Sequence, residues 1–77
     1  MIEKLSEYAH TAWSGWIQYM FSKCVVNEDG SLTIPKWAVE RWTRQATTPY
    51  AKLPLQEKES DKHEARTILT LLDIIID

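Results

Sequence analysis

The sequence predicts a mainly α-helical fold: a small single domain of three helices, with a short β-hairpin or irregular loop between the first two. Three observations predict it. Apolar residues recur at the helical period near both ends of the chain, a proline opens a shorter helical pattern between them, and an Asp-Gly turn signal separates the first two patterns. A chain of 77 residues has room for one domain and no second core.

The first helix is expected over residues 2 to 22. At about 100° per residue, its large apolar side chains fall on one half of the helix and most of its polar ones on the other. His10 lies at the border of the apolar half, beside Trp13. It is interpreted either as a boundary histidine hydrogen-bonded to a neighbour, or as a ligand or proton-handling group in the mouth of a pocket. The apolar half comprises Ile2, Leu5, Tyr8, Ala9, Ala12, Trp13, Trp16, Ile17, Tyr19 and Met20.

Residues 23 to 35 leave the helical period. Their centre, residues 27 to 31, reads Asn-Glu-Asp-Gly-Ser and is a turn signal, and β-prone residues stand on both sides of it. An isolated hairpin is marginally stable, so this segment is expected either to pack on the helices as a hairpin or to form an irregular loop.

A second, shorter helix is expected over about residues 35 to 46, after Pro35. Trp37 falls on the face that also carries Arg41 and Arg44. Because Trp37 and Arg41 are four residues apart, they are placed to form a cation–π pair; alternatively, Trp37 packs under the preceding loop. The apolar stripe of this helix is expected to be Ala38, Val39, Trp42 and Ala46.

The last helix is expected over residues 54 to 76. When its apolar stripe is extended back to the start of the helix, Asp61 falls near the centre of the stripe, with Glu57 and Lys58 on its two sides. Two accounts of these charges remain open. The carboxylates either serve the fold, by binding backbone N–H groups or pairing with Arg41, Arg44 or His10, or they line a small polar cleft where a ligand binds.

Composition and spacing narrow the function classes. The net charge of −2, with both signs mixed along the chain, argues against a nucleic-acid binder, and no apolar run approaches the roughly 20 residues that span a membrane. The single cysteine, Cys24, excludes an internal disulfide and fits a reducing compartment, so the cytoplasm is the expected location. The spacing of Cys24, His10 and His63 matches no metal-ligand pattern, and neither a metal nor a cofactor is expected.

Residues 48 to 72 resemble the repeat domain of ryanodine receptors. That family has a Pro-Tyr entry, a Leu-Pro helix start, Glu-Lys, and Asp followed by a basic residue before an Ala- and Leu-rich helix; its first helix carries His-x-x-Trp. The middle of the chain departs from the family, which has a Gly-Trp-x-Tyr-Gly segment there. The matching residues are Pro49-Tyr50, Leu53-Pro54, Glu57-Lys58, Asp61-Lys62, Ala65, Ile68, Leu69 and Leu72, with His10 and Trp13 in the first helix.

The whole chain also resembles short bacteriophage proteins with an Ile-Pro…Glu-Arg-Trp-x-Arg-Gln…Thr-Pro-Tyr pattern, which would place it in the host cytoplasm. In receptors, the resemblance implies a regulatory helical module. In prokaryotes it implies a ligand-sensing part beside nucleotide-signalling and defence components. Neither setting implies catalysis.

Three functional hypotheses follow. The first is a non-enzymatic module that binds a small anionic or nucleotide-like ligand in a cleft near the start of the last helix. The second is a protein-interaction or assembly module, a homodimer or a host-protein binder, that uses the apolar C-terminal end with Ile74. The third, an enzyme with His10 as an acid–base partner of Asp61 or Glu57, is required by nothing in the sequence. The expected ligand-binding residues are His10, Trp13, Arg41, Arg44, Tyr50, Glu57 and Asp61.

Overall fold

A computed structural model describes residues 1 to 72 and confirms the mainly helical fold with a hairpin between the first two helices. Helix α1 spans Ile2–Lys23, and strands β1 and β2 span Val25–Val26 and Leu32–Thr33. Helix α2 spans Lys36–Thr47, a short 3-10 helix spans Tyr50–Lys52, and α3 spans Leu55–Leu71. The predicted helix bounds agree to within one residue, except for the predicted end of α3, which lies outside the described residues together with Ile74, Ile75 and Ile76.

The hairpin alternative is the one that forms. Strands β1 and β2 are antiparallel, with Val25 opposite Thr33. Gly30 has a φ of 87°, in the left-handed region that glycine adopts without steric cost. The Asp29 carboxylate accepts hydrogen bonds from the hydroxyl and the backbone N–H of Ser31, at 2.6 and 3.0 Å, which lower the pKa of Asp29.

Prolines mark where the later helices begin. Pro35, Pro49 and Pro54 each precede a helix in an extended conformation, and their carbonyls accept the first backbone hydrogen bonds of the helix that follows. A proline has no N–H to satisfy at this position. The chain is thereby divided into helices with short connections between them.

The described residues enclose almost no interior. Ala38 is the one described residue that is fully buried. The protein exposes 6404 Å² of surface, whereas a compact protein of its mass exposes about 4,900 Å². Its radius of gyration is 15.7 Å, against about 11.5 Å for a compact domain of this length, and it measures 48 × 31 × 15 Å. Three of the four tryptophans contribute little core volume, since Trp13, Trp16 and Trp37 are each about half exposed.

Helix α2 is joined to the other helices by a few side chains. The Trp42 ring meets Trp16 of α1 edge-on, with 5.2 Å between ring centroids, and meets Trp37 at 6.3 Å. Trp37 thus contacts another aromatic ring, and the described residues show no cation–π contact between it and Arg41. Val39, predicted on the apolar stripe, is half exposed. Among the described residues, no helix has both the length and the apolar character needed to cross a membrane.

Candidate functional site

An open groove of about 520 Å³ lies where α1, α2 and the segment after α2 meet α3. Two of the predicted ligand-binding residues, Tyr50 and Asp61, line it together. The remaining lining residues come from α1, from α2 and from the connecting segment. The full lining is Trp16, Trp42, Gln45, Ala46, Thr48, Tyr50, Leu53 and Asp61.

Aromatic neighbours hold the two tryptophans of the groove in place. Trp16 stacks on Tyr19 of its own helix, with 5.7 Å between ring centroids, and meets the edge of Trp42. Trp42 in turn contacts Trp37. Edge-to-face and offset-stacked pairs of this kind fix ring orientation, so the groove has a preformed aromatic wall.

The 3-10 helix positions Tyr50 at the opposite side of the groove. The backbone N–H of Leu53 donates to the Tyr50 carbonyl at 3.1 Å, and the Thr48 hydroxyl donates to the carbonyl of Arg44 at 2.5 Å, which ties the segment to the end of α2. The Tyr50 ring is half exposed, and the Lys58 ammonium lies 5.8 Å from its centroid. The Tyr50 ring and the Lys58 ammonium are therefore neighbours at this edge of the groove.

Asp61 lines both this groove and a second one. The second groove, of about 590 Å³, separates α1 from α3. The helical phase correctly predicted that Asp61 faces the neighbouring helix, but the expectation that it needs a buried partner is wrong. Asp61 is exposed and has no hydrogen bond or ion pair with any described residue, because its side of α3 opens onto grooves. The second groove is lined by Tyr8, Thr11, Ala12, Gly15, Trp16, Ser60, Asp61 and Glu64.

Glu57 is the carboxylate that takes an arginine partner. Its oxygens accept two hydrogen bonds from the Arg44 guanidinium, at 2.6 and 3.3 Å, and its side chain is 12% exposed. The hydrogen bond to Glu57 raises the pKa of Arg44, so this arginine keeps its charge at every physiological pH. Arg44 and Glu57 brace the groove from outside its lining, and the charge of Arg44 is already neutralised.

Besides Arg44 and Glu57, three more of the predicted ligand-binding residues lie outside the groove lining. The His10 ring lies over Trp13 with 6.4 Å between centroids, and its Nε2 is 3.4 Å from the Ser14 hydroxyl, which fits the boundary-histidine interpretation. Trp13 is 59% exposed. Arg41 does not line the groove and forms no ion pair with a described residue.

Sequence reasoning missed six residues of the groove lining, and two of them, Trp16 and Trp42, form its aromatic wall. Trp16 and Trp42 were expected to be core residues because they lie on the apolar stripes of their helices. The available indication was the number of aromatic residues: the chain has 4 Trp and 3 Tyr in 77 residues, and so small a domain leaves about 40% of its unfolded surface exposed. Lys58 was noted beside Asp61 but not assigned to the site.

The groove combines aromatic and polar groups. Its lining offers aromatic faces, the Asp61 carboxylate, the Gln45 amide and the hydroxyls of Thr48 and Tyr50. Among the described residues, no three His, Cys, Asp or Glu side chains come close enough to hold a metal ion. The half-buried Cys24 thiol donates to the carbonyl of Met20 at 3.2 Å and does not line the groove. Comparisons with protein-family models, with curated proteins and with solved structures found no match to this chain.

Proposed function

We propose that the protein is a non-enzymatic binding module that takes a nucleotide in the central groove, with the base against the aromatic wall. One observation carries the proposal: Trp16, Trp42, Tyr50 and Asp61 come from four separate parts of the chain and line one groove. Stacking of a base on an aromatic side chain contributes about 1–3 kcal/mol. The volume of about 520 Å³ lies within the range of small-molecule sites.

Asp61 is the residue we assign to recognition of the base edge. A carboxylate only accepts hydrogen bonds, so it favours a base that presents two neighbouring N–H donors. Guanine does so with its ring N1–H and its exocyclic amino group. Gln45 lines the same groove and supplies both a donor and an acceptor for the remaining polar atoms of the base, while the Thr48 hydroxyl, whose proton goes to the Arg44 carbonyl, supplies an acceptor.

Lys58 is the residue we assign to the phosphate. Its ammonium lies beside the Tyr50 ring, where a phosphate leaving the groove would meet it. Arg44 is less suited because Glu57 already neutralises it, and Arg41 does not line the groove. The same lysine disfavours an organic cation, which an aromatic wall with a carboxylate would otherwise suit.

Calorimetry with a small nucleotide panel tests the proposal. We expect GMP to bind, IMP to bind about tenfold more weakly because it lacks the exocyclic amino group, and choline to give no heat. Asp61→Asn should weaken GMP binding at least about tenfold. The matched control is Glu64→Gln, which removes a charge from the same helix but lines only the second groove.

Two results would contradict the proposal: no heat with any nucleotide, or an equal loss of GMP affinity in Asp61→Asn and Glu64→Gln. A module of this kind would sense or sequester a nucleotide signal without converting it. That role agrees with what the resemblance of residues 48 to 72 to the ryanodine-receptor repeat domain implies, including a host-cytoplasmic setting if the protein is phage-encoded.

A further inference from the structure

The outward face of α1 carries an apolar stripe that the described residues leave largely open. The stripe consists of Ile2, Leu5, Ala9 and Trp13, which fall within an arc of about 80° on the helix. Ile2 is 74% exposed and Trp13 is 59% exposed. Helix α3 meets α1 on the adjoining side, along the second groove, and Trp16 stands at the border, since it falls within the same arc and also lines that groove.

The exposed surface area of the protein indicates how much surface is available for a partner to bury. The protein exposes about 1,500 Å² more than a compact protein of its mass. A nucleotide in a groove of about 520 Å³ covers only a small part of that excess. An interface of standard size hides about 800 Å² on each partner, so a second copy docked on α1 covers about half of this excess.

A second copy of the same chain is the partner that best fits the small core of this protein. With Ala38 the one fully buried residue among those described, the single chain has almost no core to hold it folded. Obligate homodimers often have no stable folded monomer, and a second copy is the one partner that is always synthesised together with the chain. A two-fold interface also requires only that one patch be complementary to itself.

We propose that two copies pair through this stripe, with α1 antiparallel to α1 of the second copy about a two-fold axis at Ala9. In this register, residues whose numbers add up to 18 face each other. Leu5 then packs against Trp13 of the other copy, and Ile2 packs against the outer side of Trp16. The small Ala9 side chains meet at the axis, where they let the two backbones approach closely.

The charge pattern of α1 agrees with this register. No Asp, Glu, Lys or Arg falls within the stripe between Ile2 and Met20, so pairing brings no like charges together. Glu3 and Glu7 lie outside the stripe and face Gly15 and Thr11 in the register. Trp16 takes part in both sites, since it lines the nucleotide groove and its outer side meets Ile2 of the second copy. Ala9, the residue at the axis, does not line the groove, so the two sites can be tested separately.

Sedimentation equilibrium tests the assembly. We expect a dimer at about 1–100 µM and a Tm that rises with protein concentration, as mass action requires. Ala9→Glu places two carboxylates at the axis and should raise the dimer dissociation constant at least about 100-fold. The matched control, Gln18→Glu, adds the same charge to the opposite face of α1 and should change it less than about threefold.

A crosslinking experiment tests the register, even if Ala9→Glu fails to fold. In a Cys24→Ser background, Ala9→Cys should form an interchain disulfide under mild oxidation, because disulfide geometry requires nearby Cα atoms. Gln18→Cys in the same background should remain monomeric on a non-reducing gel. Wild-type protein that is monomeric and cooperatively folded at about 100 µM would overturn the proposal, as would equal crosslinking at the two positions.

Discussion

Arg44 and Glu57 join the last turn of α2 to the first turn of α3 through two hydrogen bonds of 2.6 and 3.3 Å. The helix dipole stabilises a cation at the C-terminus of a helix and an anion at the N-terminus. Arg44 lies at the C-terminus of α2 and Glu57 at the N-terminus of α3. The segment between them contains Thr48, Tyr50 and Leu53 of the groove. The ion pair therefore braces one side of the groove as well as the fold.

Replacing Glu57 by alanine should lower the free energy of unfolding by about 1 kcal/mol, because the Arg44 side chain is 46% exposed and solvent screens the pair. Urea unfolding measures the loss. The control is Glu59→Ala, on the same helix, whose carboxylate lies 3.5 Å from Lys62 at the surface. Its effect should stay within about 0.5 kcal/mol. Equal effects of the two substitutions would mean that the bridge between α2 and α3 contributes nothing specific.

Asp61→Asn should leave the free energy of unfolding unchanged to within about 0.5 kcal/mol, because the exposed carboxylate has no partner among the described residues. The helical pattern alone predicts a buried carboxylate, whose truncation would cost about 1–3 kcal/mol. Chemical denaturation decides between these two values. A loss in the higher range would show that Asp61 has a structural partner in solution.

The sequence predicts the fold well because its signals are local. Apolar period, prolines and an Asp-Gly turn mark the ends of α1, α2 and the hairpin to within a residue or two. The groove is harder to predict, because it depends on how far apart the helices stand. Trp16 and Trp42 look like core residues on any helical wheel, and only the open packing turns them into a groove wall.

The dependence on helix packing also explains which of the predicted ligand-binding residues line the groove. Tyr50 in the 3-10 helix and Asp61 in α3 lie on neighbouring elements joined by a short connection, so their approach depends on few long-range contacts. His10 and Trp13 require a particular packing of α1 on the rest of the chain. In the structure α1 presents Trp16 to the groove, one turn further along the helix. Helical phase indicates which side of α1 faces inward but not which turn meets the neighbouring helices.

The two glycines should respond to alanine in opposite directions. Gly15 lies inside α1, and a Cβ added there would meet nothing within 4 Å, so Gly15→Ala should stabilise the protein by about 0.5–1 kcal/mol. Gly30 has a φ of 87° in the hairpin turn, and Gly30→Ala should destabilise it by about 1 kcal/mol. Thermal unfolding of both variants at one protein concentration gives the comparison. Destabilisation by Gly15→Ala would mean that α1 and α3 approach more closely than the structure shows.

Tyr8→Phe should leave the free energy of unfolding unchanged or raise it by about 1 kcal/mol, because the Tyr8 hydroxyl is buried without a hydrogen-bond partner among the described residues. Removing an unsatisfied polar group relieves a desolvation cost and leaves the ring packing intact. Tyr19→Phe is the control, since Tyr19 is exposed. Urea unfolding that shows a clear loss for Tyr8→Phe alone would reveal a partner for this hydroxyl in solution.

Asp29 should give the hairpin a pH dependence confined to acid. The Ser31 hydroxyl and backbone N–H hold the pKa of Asp29 below its ordinary value of 3.8, because both bind the ionised carboxylate. A carboxyl whose pKa is lower in the folded state contributes stability that is fully present above the unfolded pKa and is lost as the pH falls through the folded one. An NMR titration of the Asp29 carboxyl carbon should therefore show a midpoint below 3.8. Ser31→Ala should move that midpoint upward, whereas Ser22→Ala, which removes a hydroxyl bonded to the Tyr19 carbonyl, should not. A midpoint that Ser31→Ala leaves in place would show that the hydroxyl does not bind the carboxylate.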